Sequence, residues 1–242
     1  YSRYLERTME ADPNRPTPAV SMGDGVDFVP MPWWRVLLIQ FLNIAGLGPI
    51  FGAIAGALWG PVAFVWIVLG TVFAGAVHDY FSGMLSVRHN GLSITEVIGI
   101  YLGNITKQLM RIFTIVLLVL VGVVFISGPA GILASLTPAT LDFRFWVWVI
   151  FFYYILATLL PIDKIIGKIY PVFGFALLFM AASLIIALII KGYAIPELTS
   201  ENWRNFHYDK EKFPIFPMLF ITIACGAISG FHATQSPLMA DR

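Results

Sequence analysis

The sequence predicts an all-α, polytopic membrane helix bundle, and three observations carry that expectation. The chain is 58% hydrophobic and 12% charged, with a mean hydropathy of +0.81, whereas soluble domains average about 25% charged residues. Its apolar residues fall into six long runs separated by Gly, Pro and charged residues. The first and sixth of these runs are interrupted by Gly and Pro inside otherwise apolar sequence. A spanning segment cannot leave polar backbone facing lipid, so a break at that depth must be buried in protein or line a cavity.

Composition also excludes several classes. The formal net charge is +1 and no basic run is present, so no nucleic-acid partner is expected. The single cysteine, Cys225, permits neither an intrachain disulfide nor a Cys-rich metal site. No cofactor motif is visible. The chain opens on Tyr1 and stops at Asp241-Arg242 beside an apolar run, and we read it as part of a longer protein.

Residues 1–32 form a polar N-terminal segment rich in proline, with a short helix at its start and a turn at Asp24-Gly25. The transmembrane region follows over residues 33–242. Span one covers about 34–59 and breaks at Asn43-Ile44-Ala45-Gly46-Leu47-Gly48-Pro49, where Pro49 lacks an N–H and disfavours helical geometry at Gly48. Its second half carries Gly48, Gly52, Gly56 and Gly60 at every fourth position, a small-residue face for close helix packing.

Span two covers about 61–85, with Pro61 suited to a first helical turn. It contains His78 and Asp79, roughly 25 Å along the helix from Pro61, near the far edge of the hydrocarbon layer. Ser93-Ile94-Thr95-Glu96 reads as a capping box opening an interfacial helix over about 94–102. Its stripe is Ile94, Val97, Ile98 and Tyr101, and Gly103 ends it.

Span three covers about 111–127, stopped by Gly128-Pro129, and an apolar connection then dips into the membrane. Span four covers about 145–160, stopped by Pro161. Span five covers about 165–190, with a kink at Pro171. A polar loop follows over 191–214, with Trp203 and Tyr208 as interfacial anchors. Trp33, Trp34, Trp146, Trp148 and Tyr153 are expected in the aromatic belt or facing lipid. Span six covers about 214–238 and is interrupted from Ser229 through Pro237. Lys and Arg are more numerous on the loops that share a side with the N-terminus, which places that terminus in the cytoplasm.

Two broken spans five helices apart are what a five-plus-five inverted repeat produces, with only the first repeat and the start of the second present here. In such folds the breaks meet near the midplane and bind solute and coupling ion. The candidate solute- or ion-binding residues are therefore Asn43, Ala45, Gly46 and Gly48 at the first break, and Ser229, His232, Thr234 and Gln235 at the second. A tight helix crossing and a satisfied structural histidine are the plainer alternatives. Polar side chains inside a span are costly unless paired or wet, and an imidazole, with an unperturbed pKa of about 6.5, can carry a proton. His78 and Asp79 are candidates for ion coupling or a gate. The depth of Asp79 favours the competing role of an interfacial carboxylate paired with Arg88 or another basic group near the membrane edge. A passive channel or a non-transporting membrane module remains as an alternative. An intramembrane enzyme would need a nucleophile–base pair or a metal set that the sequence does not supply.

The chain resembles the carbon starvation protein A family of bacterial membrane transporters. The matching stretches are Thr17-Pro18-Ala19, Asp24-Gly25-Val26-Asp27-Phe28-Val29-Pro30, Ile44-Ala45-Gly46-Leu47-Gly48-Pro49-Ile50, Gly75-Ala76-Val77-His78-Asp79 and His232-Ala233-Thr234-Gln235-Ser236-Pro237. The resemblance implies inner-membrane uptake of peptides or pyruvate, coupled to H⁺ or Na⁺ and induced in carbon starvation, on a LeuT-like helical fold. Two departures stand out. Relatives carry a His pair before the first break where this chain has Gln40-Phe41-Leu42-Asn43, so no proton role of those histidines transfers. The ending Met239-Ala240-Asp241-Arg242 also differs from the expected Met-Ala-Arg.

Overall fold

A computed structural model describes residues 1–25, 28–159, 162–194 and 196–240, with side chains omitted at 162–170, 225, 227 and 238–240. Val26 and Asp27 of the quoted motif, the Pro161 stop and the Asp241-Arg242 ending lie outside the described residues. Among the described residues every regular element is helical.

The N-terminal segment holds two short helices, α1 (Ser2–Thr8) and α2 (Pro18–Ser21). It is anchored to the far end of span two. Arg15 Nη2 donates to the Arg88 carbonyl at 2.9 Å, and Arg88 Nη2 donates to the Met9 carbonyl.

Span one is two helices, α3 (Trp33–Ile44) and α4 (Leu47–Gly56), bent by 51° at Ala45-Gly46. A 3₁₀ turn (Ala57–Trp59) closes α4, and Gly60 at φ +83° turns the chain into span two. Span two runs Val62–Arg88 as α5 (Val62–Leu69), a π-helical turn (Gly70–Gly75) and α6 (Ala76–Arg88). The hydropathy pattern did not reveal the π turn. Thr71 Oγ1 bonds the Ile67 carbonyl there and competes with the backbone ladder. One extra residue in a turn rotates everything downstream by about 100°, so the turn helps set which way His78 and Asp79 face.

The helix α7 (Ile94–Leu136) is kinked at Gly103, whose φ of +85° and ψ of 171° end its first arm where the sequence placed that end. Val97 is buried and Tyr101 exposed, and Tyr101 Oη meets His89 Nε2 at 3.0 Å. The capping box takes a different form from the one expected. The Ser93 hydroxyl bonds the Glu96 carboxylate at 3.4 Å and pairs with Thr95 at 2.9 Å, and it makes no bond to a backbone N–H.

Span three does not stop at Gly128-Pro129, because α7 continues through Pro129 to Leu136. A proline inside a helix frees the carbonyl four residues earlier, here that of Phe125. Tyr154 Oη from the next helix donates to it at 3.1 Å. The expected membrane-dipping connection is therefore mostly helix, leaving a short loop in which Thr137 accepts from Trp146 Nε1 at 3.0 Å. The helix α8 (Phe143–Leu159) covers the stretch expected as span four and, at 17 residues, is short for a membrane crossing. The helix α9 (Ile162–Lys191) begins three residues before the expected start and contains Pro171.

Span six opens with a π-helical turn (Ile215–Leu219), continues as α10 (Phe220–Ala227), breaks, and resumes as α11 (Gly230–Ala240). The break is shorter than expected. Only Ile228, with φ −131° and ψ 113°, and Ser229 leave the helix, and Thr234, Gln235 and Pro237 lie inside α11.

The compact core is Trp59, Val62, Ala63, Leu219 and Ile223, where the span one–two turn meets the start of span six. The glycine face of α4 packs here on α10. A Cβ at Gly52 would lie 2.8 Å from the Thr222 carbonyl oxygen, and one at Gly226 would lie 2.8 Å from Pro49 Cα. This approach, tight on both sides, draws the two broken spans together.

Candidate site between the two helix breaks

The residues that interrupt the two spans face a common cavity of about 190 Å³. The first break supplies Asn43, Gly46, Gly48 and Pro49, and the second supplies Ser229, Phe231 and His232. Leu120, Val121, Val124 and Phe125 of α7 close the remaining wall.

The cavity is lined mainly by apolar surface, and its few polar groups come from the two breaks. Gly46 is extended (φ −77°, ψ −171°) and caps α4, while Ala45 N–H reaches back to the Phe41 carbonyl at 2.8 Å. Residues of the first turns of α4 and α11 therefore line the space. The first-turn N–H groups of a helix lack intrahelical acceptors and carry about half a positive charge in sum. Ser229 Oγ accepts the Phe231 N–H at 3.2 Å as a local cap. Two helix N-termini converging on one small cavity favour an anionic group there.

Behind this cavity α6 packs against α11, bringing three titratable side chains together. Asp79 Oδ1 lies 2.9 Å from His78 Nδ1 and Asp79 Oδ2 lies 3.6 Å from His232 Nδ1. His232 is 4% exposed, and its Nδ1 has no hydrogen-bond partner among the described residues. Asp79 does not pair with Arg88. Arg88 is held by the N-terminal segment, and the helix register turns Asp79 inward to the two histidines.

A polar brace fixes this arrangement. Ser236 Oγ donates to the Asp79 carbonyl at 3.0 Å, and Gln40 Nε2 donates to Ser236 Oγ at 3.3 Å, tying α3, α6 and α11 together.

Of the candidates read from sequence, Asn43, Gly46, Gly48, Ser229 and His232 line the cavity, and Ala45 does not. Thr234 lines a second cavity, its hydroxyl donating to the Phe231 carbonyl at 2.7 Å, and Gln235 Nε2 donates to Thr234 Oγ1 at 3.4 Å. His78 also lines that second cavity. Tyr153, expected in the aromatic belt, is exposed yet borders a lateral cavity with Asn43 and Phe125. Sequence reasoning missed the brace. Its signal was present, because Gln40 precedes Asn43 by three residues and Ser236 follows His232 by four, so each shares a helical face with a residue already singled out. The apolar α7 wall left no such signal, since any spanning helix could have supplied it.

The family described as carbon starvation protein CstA matches residues 1–139 and 130–237. An uncharacterized membrane protein of Haemophilus influenzae is 44% identical over 99% of this chain and 77% of its own length. The pyruvate/proton symporter BtsT of Escherichia coli is 28% identical over 98% of this chain, and the peptide transporter CstA of Campylobacter jejuni 29% identical over 95%. The match covers 41% of the length of each of those two relatives. No solved structure matches the chain. A family match spanning nearly every residue, with both broken spans inside it, places this chain in the carbon starvation protein CstA family.

Proposed function

We propose that the chain forms the first half of a secondary active transporter of the bacterial inner membrane, its N-terminus cytoplasmic, that imports a small carboxylate of the pyruvate class together with H⁺ or Na⁺. The observation that carries this reading is the convergence of two half-helix N-termini on one small cavity with a buried histidine in its wall. The positive ends suit a carboxylate. The cavity volume, about 190 Å³, is below the roughly 300–1,000 Å³ of sites for drug-sized ligands, which suits a solute of a few heavy atoms. The name of the E. coli relative, a pyruvate/proton symporter, agrees with that class.

Peptide uptake is the second reading, supported by the names of the peptide transporter relatives. The placement of the breaks also supports a LeuT-like first repeat, whose second repeat would meet the exposed faces of this one.

Proteoliposomes carrying the protein test the reading. Labelled pyruvate is expected to accumulate above the external concentration under an imposed pH or sodium gradient, and a dipeptide to compete weakly. Equilibration without accumulation would assign the protein as a passive channel. No flux of either solute would assign it as a non-transporting membrane module.

A further inference from the structure

Two cavities lie on opposite sides of the His–Asp cluster. His232 lines the cavity between the breaks, while His78 lines a second, mainly apolar cavity of about 380 Å³ whose polar lining is Ser82, Thr114 and Thr234. The two spaces are neighbours, because Gly230 borders the second while Ser229 and Phe231 border the first. Asp79 stands between the two imidazoles, one carboxylate oxygen towards each.

On the transporter reading, we propose that His232, Asp79 and His78 form a proton relay from the cavity between the breaks towards the second cavity.

The chemistry follows from charge. With both imidazoles neutral the cluster carries the one negative charge of Asp79, which is costly inside a bilayer unless it is balanced. One added proton makes the cluster neutral overall, as an imidazolium beside a carboxylate. Among the described residues the elements packed on the cluster bring no further charged group within ion-pair distance. Here α3 contributes Gln40, α7 contributes the uncharged Met110, Phe113, Thr114 and Leu117, and the Glu96–Arg111 pair is separate and partly exposed. Proton occupancy is therefore set by the three residues and by whatever fills the solute cavity. An anion held at the two helix ends beside His232 favours the protonated cluster, and by reciprocity the protonated cluster favours the anion.

The transfer balances without redox change. The N–H bond at His232 Nδ1 breaks as an O–H bond forms at Asp79 Oδ2. After the carboxyl group rotates, that O–H bond breaks as an N–H bond forms at His78 Nδ1 of the Nε2–H tautomer, and His78 releases its Nε2 proton to a water molecule that reaches it. The His78 link is at hydrogen-bond length, 2.9 Å, and the His232 link, 3.6 Å, is not. The relay is thus connected to the second cavity and open towards the solute cavity in this conformation, which is the asymmetry an alternating-access cycle needs. Ser236 and Gln40 act as positioning residues by holding the Asp79 backbone on α11.

The experiment uses proteoliposomes with a lumenal pH dye and labelled pyruvate. Asp79→Asn is expected to reduce pH-driven accumulation and pyruvate-dependent acidification about tenfold more than it reduces pyruvate counterflow, with His78→Gln acting in the same direction and Asp79→Glu restoring coupling. Equal loss of all three activities, or accumulation driven by sodium alone in the unaltered protein, overturns the relay. Absence of pyruvate counterflow in the unaltered protein instead overturns the solute assignment. Infrared difference spectra of the purified protein between about pH 5 and 8 separate that case from the relay. A carboxyl band lost in Asp79→Asn supports the relay, and identical spectra overturn it.

Discussion

At the scale of single residues, Pro129 and Tyr154 show how this fold handles a helix breaker. The proline removes a backbone donor from the middle of a spanning helix, and the tyrosine hydroxyl from α8 replaces it at the freed Phe125 carbonyl. Tyr154→Phe leaves that carbonyl unpaired and is expected to cost about 1–2 kcal/mol, read as lower thermal stability in detergent. Pro129→Ala restores the backbone donor, so in its background the Tyr154→Phe change is expected to have little effect, and a double-mutant cycle measures the coupling. Ser229 is a second such residue. Its hydroxyl caps the first turn of α11, and Ser229→Ala is expected to cost about 1 kcal/mol by the same measurement.

At the scale of elements, the two halves of the bundle meet along α4 and α10. The contact is backbone against backbone, so a methyl group has nowhere to go. Gly52→Ala is expected to destabilise the protein by about 1–3 kcal/mol, because the Thr222 carbonyl cannot rotate away as a side chain could. Gly122→Ala, at a helix position with open space, is the control and should be neutral or stabilising by up to about 1 kcal/mol. The expectation of a packing face on α4 came from a four-residue spacing alone. Its partner did not, because the sequence holds Gly226 without saying that it meets Pro49.

At the scale of the whole molecule, the cavity between the two breaks and the second cavity are neighbours, with His232 on the first, His78 on the second and Asp79 between the two imidazoles. If solute and proton move together, the initial rate of pyruvate uptake rises as the external pH falls below the internal pH, and collapsing the gradient with a protonophore removes the rise. Uptake indifferent to the gradient, measured in the same vesicles, would separate solute movement from the cluster.

What the sequence determined by itself is the set of local events. The break in span one falls at Ala45-Gly46, narrower than the expected break over residues 43–49, because Pro49 fits the first turn of α4 and Gly48 stays helical. Gly103 interrupts α7, and the apolar runs favour a membrane. Each of these depends on backbone chemistry or on transfer from water within a few residues. The tertiary structure decided everything that needs a partner from elsewhere in the chain. A remote hydroxyl lets α7 pass Pro129, and the register after the π turn gives Asp79 to two histidines instead of Arg88. Partners so far apart in sequence meet only through packing, and no local pattern encodes which helix face will be opposite which.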